Sequence, residues 1–174
     1  MTVYATAEKL LNPIKAVSDS FAAAAAGDYA DNDVISDSVS NGTGTALEFA
    51  NAVRITGGAG MVVSGSINVV ASTSVAATIG LQLFSQAPTA TELDDNAAEG
   101  GVGAADAPYY LGEILFATGT DYGAGNIKYP SVVTPAAPMF IRSEGTSIFG
   151  RLIARDAEAS ETAAMSVIVT LYIQ

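Results

Sequence analysis

From Met165 to Ile173 every second residue is apolar: Met165, Val167, Val169, Leu171 and Ile173, with Ser166, Thr170 and Gln174 at the intervening parity. Side chains alternate across a strand, so this pattern predicts a half-buried β-strand over 165–173. The same period of two predicts a strand over Met61–Ala71, with Met61, Val63, Ile67 and Val69 opposite Ser64, Ser66 and Asn68. A third run sets Ile79, Leu81 and Leu83 against Thr78, Gly80 and Gln82, close enough behind the second to be expected as its antiparallel partner. Further strands are expected at Tyr110–Ala117, Ile127–Val133, Met139–Arg142 and Ser147–Arg155, with shorter ones near Val34 and at Ala46–Phe49, each bounded by Gly, Pro, Asn or Asp. Roughly eight strands at this spacing define an all-β chain, a sandwich, jelly roll or barrel.

Between these runs the chain is punctuated by glycine. Gly57-Gly58-Ala59-Gly60 precedes a strand pattern, not a helix, and no Gly-Lys-Ser/Thr follows, so it reads as a turn and not a phosphate loop. Gln86–Pro108 is long, acidic and without alternation, which predicts an extended surface loop. Residues 1–27 are rich in Ala, Leu and Lys but interrupted by Pro13, and suit an arm, a short helix or an edge strand laid against something else. The expected organisation is therefore an N-terminal arm or edge segment over 1–27 and one β domain over 28–174.

Composition narrows the function. No run of about 18 strongly apolar residues exists, so a membrane-spanning helix is not expected. Lys9 and Lys15 precede the Ala22–Ala26 run in the manner of a signal peptide, but Asn12, Pro13, Ser18, Asp19 and Ser20 stand where its apolar region should be. With 18 acidic against 7 basic residues the net charge is -11, which repels phosphate backbones and argues against nucleic-acid and membrane partners. Cysteine is absent, so no disulfide or thiolate chemistry is available.

Histidine is absent too, which removes the commonest general base and every Ser-His or Cys-His nucleophile. Glu92, Asp94, Asp95, Glu99 and Asp106 crowd one loop, but side-by-side carboxylates on a polar loop are ordinarily solvated rather than a glycosidase pair. The chain is not expected to be an enzyme or to need a cofactor. A hard cation would be the sharper use of the acids, with Asp31 and Asp33 beside Asp28, and Asp94 and Asp95 with Glu99, as ligand candidates. Neither group has the spacing or glycine of an EF-hand, and no metal is expected by default. Tyr109, Tyr110, Tyr122 and Tyr129 lie near glycine-rich turns and could stack on a sugar or anchor an interface, although ordinary partial burial is the plainer reading.

A longer-range order of motifs adds to this. Phe49-Ala-Asn51-Ala-Val53-Arg54 is followed by Gly57-Gly58-Ala-Gly60, then Leu81-Gln-Leu83-Phe84, Pro88-Thr89-Ala90-Thr91 and Asp95-Asn96-Ala97-Ala98. Around them stand Tyr29 with Asp33-Val34-Ile35, Gly112-Glu-Ile114-Leu-Phe116, Pro138-Met-Phe140, Ser147-Ile-Phe149-Gly150-Arg151-Leu152-Ile153 and the Val167–Ile173 strand. Over about residues 28–174 this order resembles the small decoration or cement proteins of tailed bacteriophage capsids, the likeness lying in the order and not in any one motif. The resemblance implies a jelly-roll-like antiparallel sandwich on the outer surface of the virion, commonly a homotrimer, locking neighbouring major capsid subunits together. Within the N-terminal arm, Lys9, Leu10, Leu11, Ile14 and Lys15 are the candidates for contact with the capsid or a neighbouring copy. A carbohydrate-binding or adhesion module is the alternative, since sandwiches of this kind host both roles.

Overall fold

The computed structural model describes residues 14–24, 29–39, 42–70, 78–117, 120–121, 126–131, 139–156 and 166–174. Their strands are β1 (Lys15–Ala22), β2 (Asp33–Ile35), β3 (Leu47–Phe49), β4 (Ala59–Val70), β5 (Thr78–Phe84), β6 (Tyr110–Ala117), β7 (Thr120–Asp121), β8 (Asn126–Ser131), β9 (Met139–Arg142), β10 (Ile148–Ala154) and β11 (Ser166–Ile173). They form two antiparallel sheets. One runs β1-β11-β4-β8-β7 with β9 also on β4, and the other runs β2-β10-β5-β6 with β3 also on β10.

The pairing is nested. β1 pairs β11, β2 and β3 pair β10, β4 pairs β8 and β9, and β5 pairs β6. A ribbon of nested antiparallel pairs, rolled so that β11 also meets β4 and β10 also meets β5, is a jelly roll. The chain therefore has the antiparallel, jelly-roll-like sandwich expected of it.

One expectation fails. β4 and β5 are not partners: they lie in different sheets, and the chain crosses the sandwich between them. Burial gives the reason. β4 is buried on alternate residues over most of its length, as a strand with one open face must be, whereas β5 is buried at every position after Thr78. Period two gives the inward parity at Ile67 and Val69 but not in the first part of β4, where Val62 is buried in place of the expected Met61 and Val63, and it does not name the neighbouring strand.

The core fills the space between the sheets. Val62, Ile67, Val69, Val167, Val169 and Leu171 come from one sheet, and Ile79, Leu81, Leu83, Phe116, Ile148 and Leu152 from the other, all nearly inaccessible to solvent. Each such side chain contributes about 1.5–3 kcal/mol of burial. Gly65 lets the sheets close: a Cβ there would stand 3.2 Å from both the Phe116 ring and Leu171.

The first strand lies inside the segment expected as an arm. Lys15–Ala22 pairs residue for residue with β11, from Lys15 opposite Ile173 to Ala22 opposite Ser166, at the edge of its sheet.

Candidate functional site

The two outer faces of the sandwich are treated differently, and the difference begins at β10. Its sequence Ile148-Phe149-Gly150-Arg151-Leu152-Ile153-Ala154 puts a cation in an apolar run, and every residue but Phe149 is buried. Arg151 pairs with Gln82 across the sheet on the side away from the core, yet its side chain is fully inaccessible. Nε and Nη2 donate to Gln82 Oε1 at 3.2 and 2.6 Å, while Nη1 donates to the carbonyls of Glu92 and Glu99 at 2.8 and 3.1 Å. Nη2 also reaches the Gly101 carbonyl at 3.3 Å and Glu99 Oε1 at 3.4 Å. One guanidinium thus pins the loop between β5 and β6 over the outer face of the β5–β10 sheet. Burial pulls its pKa down, with the Glu99 charge opposing. Arg155 completes the layer with a two-pronged contact to Glu113 at 2.6 Å for each prong, and with bonds from Nη1 to Glu99 Oε2 at 2.5 Å and Asn32 Oδ1 at 2.6 Å.

The acidic residues of this loop are structural acceptors, which corrects the expectation of solvated side chains. Asp94 accepts the backbone N–H groups of Gly42, Thr43 and Gly44 at 2.5, 3.0 and 3.0 Å, and these amides lower its pKa. Asp95 Oδ1 accepts the Tyr29 hydroxyl at 2.8 Å and the Ser36 amide at 2.7 Å, while Oδ2 is buried without a partner. Desolvation outweighs those two bonds, and the pKa of Asp95 rises to about 6. Asp106 is also desolvated, but the Thr91 hydroxyl and the amides of Thr89 and Ala90 prevail and bring it to about 2. Polar loops bury carboxylates only when amides or hydroxyls take the place of water.

Of the cation-ligand candidates, Asp33 accepts the Ala30 amide at 2.7 Å, Glu99 is shared by Arg151, Arg155 and Gln82, and Asp31 is exposed in a turn. Asp28 lies outside the described residues. Among the described residues no three carboxylates converge on one point. An open cleft of about 590 Å³ lies between this loop and Gly42 and Gly44, but its walls are largely glycine and alanine backbone, with Thr89, Thr91, Glu92 and Glu99 among its few polar side chains.

No described segment covers the outer face of the other sheet. Its outward positions are Ala16, Ser18, Ser20 and Ala22 on β1, Ser166, Ile168, Thr170 and Tyr172 on β11, and Ser64, Ser66, Asn68 and Val70 on β4. Met61 and Phe140 face each other at one end, beside Ala59 and Arg142. Among the described side chains this face carries no carboxylate, on a chain of net charge -11. Phe140 and Tyr172 are two of its exposed large hydrophobics.

The expected contact residues divide. Lys9, Leu10 and Leu11 lie outside the described residues. Ile14 is 59% exposed, and Lys15 Nζ donates to the Asn51 carbonyl at 2.7 Å, both beside the end of β11. Tyr110 packs on Phe84 with ring centroids 5.6 Å apart while staying exposed, and Tyr109 is half-buried. Tyr122 and the side chain of Tyr129 lie outside the described residues.

No protein-family model and no characterised protein matches the chain in sequence. Among solved structures, the crystal structure of murine APRIL at pH 8.5 aligns over 89% of this chain and 98% of that chain at 11% identity, with a TM-score of 0.27. A superposition that loose carries no argument. The class, an all-β jelly roll with its own loop over part of one outer face and no described segment over the other, rests on the strand pairing alone.

Proposed function

We propose that the chain is a structural virion protein that docks on the outer surface of an assembled phage capsid and cements neighbouring major capsid subunits, with further copies of itself as partners. One observation carries the reading: among the described side chains the outer face of the β1–β11–β4 sheet lacks carboxylates, although 18 acids stand against 7 bases in the chain. Scattered evenly, the acids would put about one or two among these outward positions, and depletion of charge at the centre of a patch is a feature of protein–protein contacts. The order of motifs that resembles capsid decoration proteins supports the capsid as the partner.

The mechanism needs no chemistry. A protein that binds only the assembled lattice stabilises assembly by mass action, and many copies multiply the effect. A sealed second face helps, because a stiff sandwich loses little entropy on docking. Neither histidine nor cysteine is present to suggest catalysis instead.

The test is occupancy of particles. Purified chain added to stripped phage capsids should saturate at a copy number comparable to the major capsid protein. Paired Ser66→Asp and Thr170→Asp substitutions, which place charge on the open face at facing positions of β4 and β11, should cut occupancy at least tenfold while leaving the unfolding temperature of the free chain within a few degrees. Absence from particles, with retention on an immobilised glycan, would overturn the reading in favour of an adhesion module.

A further inference from the structure

The cations of this acidic chain are segregated. Arg151 and Arg155 are committed to Glu99, Glu113 and the carbonyls of the covering loop. Lys15, Arg54 and Arg142, the other cations whose side chains are described, lie at one end of the sandwich. Lys15 opens β1 opposite Ile173, Ile173 is opposite Val62 near the start of β4, Arg142 on β9 is opposite Ala59, and Arg54 stands in the turn that leads into β4. None of the three makes an ion pair among the described residues. Ile14, Ile55 and Phe140, exposed by 59, 69 and 74%, stand at the same end.

Lys15 and Arg54 share a cleft of about 340 Å³, with the exposed Ile55, Ala59 and Gln174 among its walls. The volume is at the lower end of the range of about 300–1,000 Å³ for ligand pockets. No acidic side chain lines it. By contrast, the cleft at the covering loop holds Glu92 and Glu99, and the cleft beside the far half of β1 holds Asp19 and Asp37. Both cations are held in place. Lys15 Nζ donates to the Asn51 carbonyl at 2.7 Å and keeps two further N–H groups. Arg54 follows the buried Ala52 and Val53, and its turn is tied down by Val53 N on the Thr146 carbonyl at 3.1 Å and Gly57 N on the Gly145 carbonyl at 3.0 Å. Glu144, next to Gly145, is not among the cleft walls.

We propose that this cleft binds an acidic peptide segment of a partner protein, with carboxylates on Lys15 and Arg54 and an apolar side chain against Ile55. Donors that face no carboxylate of their own are matched by a ligand rich in acceptors, and a guanidinium takes a carboxylate through two parallel bonds. Charge selects a sparsely acidic segment in particular. A phosphate chain or a second copy brings a large negative charge against a chain at -11, whereas one or two carboxylates meet the local cations, and acids beyond a Debye length of about 8 Å are screened. The proposal goes beyond the capsid reading and does not rest on it, since it assigns a cleft at the end of the sandwich and the chemistry of its ligand.

The test uses the whole chain and three labelled short peptides followed by fluorescence anisotropy: one of glutamate and leucine, one with serine for leucine, and one with lysine for glutamate. The glutamate–leucine peptide should bind at roughly 200 µM and weaken as salt rises from about 50 to about 500 mM. The serine peptide should bind about threefold more weakly and the lysine peptide not at all. Arg54→Glu should weaken the first peptide at least about fivefold, and Lys15→Glu added to it should remove binding. Ile55→Ser should weaken the leucine peptide about threefold and leave the serine peptide unchanged. Lys128→Glu changes the net charge as Arg54→Glu does, but it is opposite Asn68, roughly 30 Å along β4 from Ala59, and should leave binding within about twofold. Thermal unfolding should show each variant folded. A wild-type chain that binds none of the peptides, binding that survives Arg54→Glu, or an equal loss in Lys128→Glu overturns the proposal. So does sedimentation in which Arg54→Glu dissolves an assembly of the chain, because the occupant is then a copy. Particles play no part in these measurements, so the capsid reading can fail while this site stands, and the reverse.

Discussion

Replacing Arg151 by methionine tests whether one buried cation holds the loop on the sheet. The side chain is fully inaccessible and serves Gln82 Oε1, the carbonyls of Glu92, Glu99 and Gly101, and the Glu99 carboxylate. Methionine fills much of the volume but donates nothing. Each acceptor left buried without a donor costs about 1–3 kcal/mol, so the loop lifts to rehydrate them before the full sum is reached. Breaking one side of a buried ionic contact costs about 3–5 kcal/mol, and that is the loss expected here. With a urea slope of about 2 kcal/mol per molar, the midpoint should fall by roughly 2 M. Tyrosine fluorescence can report the transition because the chain has no tryptophan. A glutamyl endopeptidase should meanwhile cut after Glu92 and Glu99 in the variant long before the folded wild type. Pairing Arg151→Met with Gln82→Leu should cost less than the two changes summed, since the orphaned amide oxygen is then gone. A midpoint within about 0.5 M of wild type, with the loop still protected, would refute the assignment of the latch to Arg151.

Stability should also depend on pH through Asp95. Its folded pKa of about 6 exceeds the ordinary 3.8, so its contribution is fully present below about pH 4 and lost as pH rises through 6, about 3 kcal/mol by pH 7. In urea titrations from pH 4.5 to 8, Asp95→Asn should flatten that slope, and an unchanged slope would count against it. Asp106 acts in the opposite sense, its contribution present above about pH 4 and lost as pH falls through about 2, so Asp106→Asn should lower the urea midpoint at pH 7 and narrow its gap from wild type in strong acid. Gly44→Ala drives a Cβ to within 1.9 Å of the Leu93 carbonyl and should cost about 2 kcal/mol or more, against about 0.5 kcal/mol or less for Gly145→Ala in open space. Deleting residues 1–13, a cut that spares β1, should leave the melting temperature unchanged while lowering capsid occupancy, and equal occupancy would remove Lys9, Leu10 and Leu11 from the contact.

The strands were legible wherever polarity alternates against a single buried face. β6 and β9 lie at the expected residues, and β11 begins one residue inside its expected range, because Val167, Val169 and Leu171 are core while Ile168 and Thr170 face outward. The same rule told only half of the surroundings of Gln82. Its parity and polarity placed it away from the core, where it does lie, but the loop that begins three residues later folds back over it, held there by Arg151 from a strand remote in sequence. The buried cation had a local signal: a charge inside an apolar run without alternation marks a strand covered on both faces. The roles of Asp94, Asp95 and Asp106 had none, because amides from segments as distant as Gly42–Gly44 decide whether a carboxylate is solvated or stapled. The uncovered face was hidden for the same reason, since its described part assembles from β1, β11, β4 and β9, which meet only when the roll closes.

A loop as long as Ser85–Tyr109 would normally be mobile, and a chain without cysteine cannot close it with a disulfide. Carboxylates and one guanidinium hold it instead. Asp94 ties the loop to Gly42–Gly44, Asp95 ties it to Tyr29 and Ser36, Asp106 closes its far half on Thr89–Thr91, and Arg151 anchors its middle. Such ties differ from covalent ones in being tuned by protons. In the range between the about 6 of Asp95 and the about 2 of Asp106 the loop is held most tightly, because the first carboxyl is neutral where its charge is costly and the second is charged where amides demand it. The acidity of the chain is therefore not only a solvating coat. Part of it is internal mortar, gathered on the side of the covering loop, while the described side chains of the opposite face carry no acid to repel a partner.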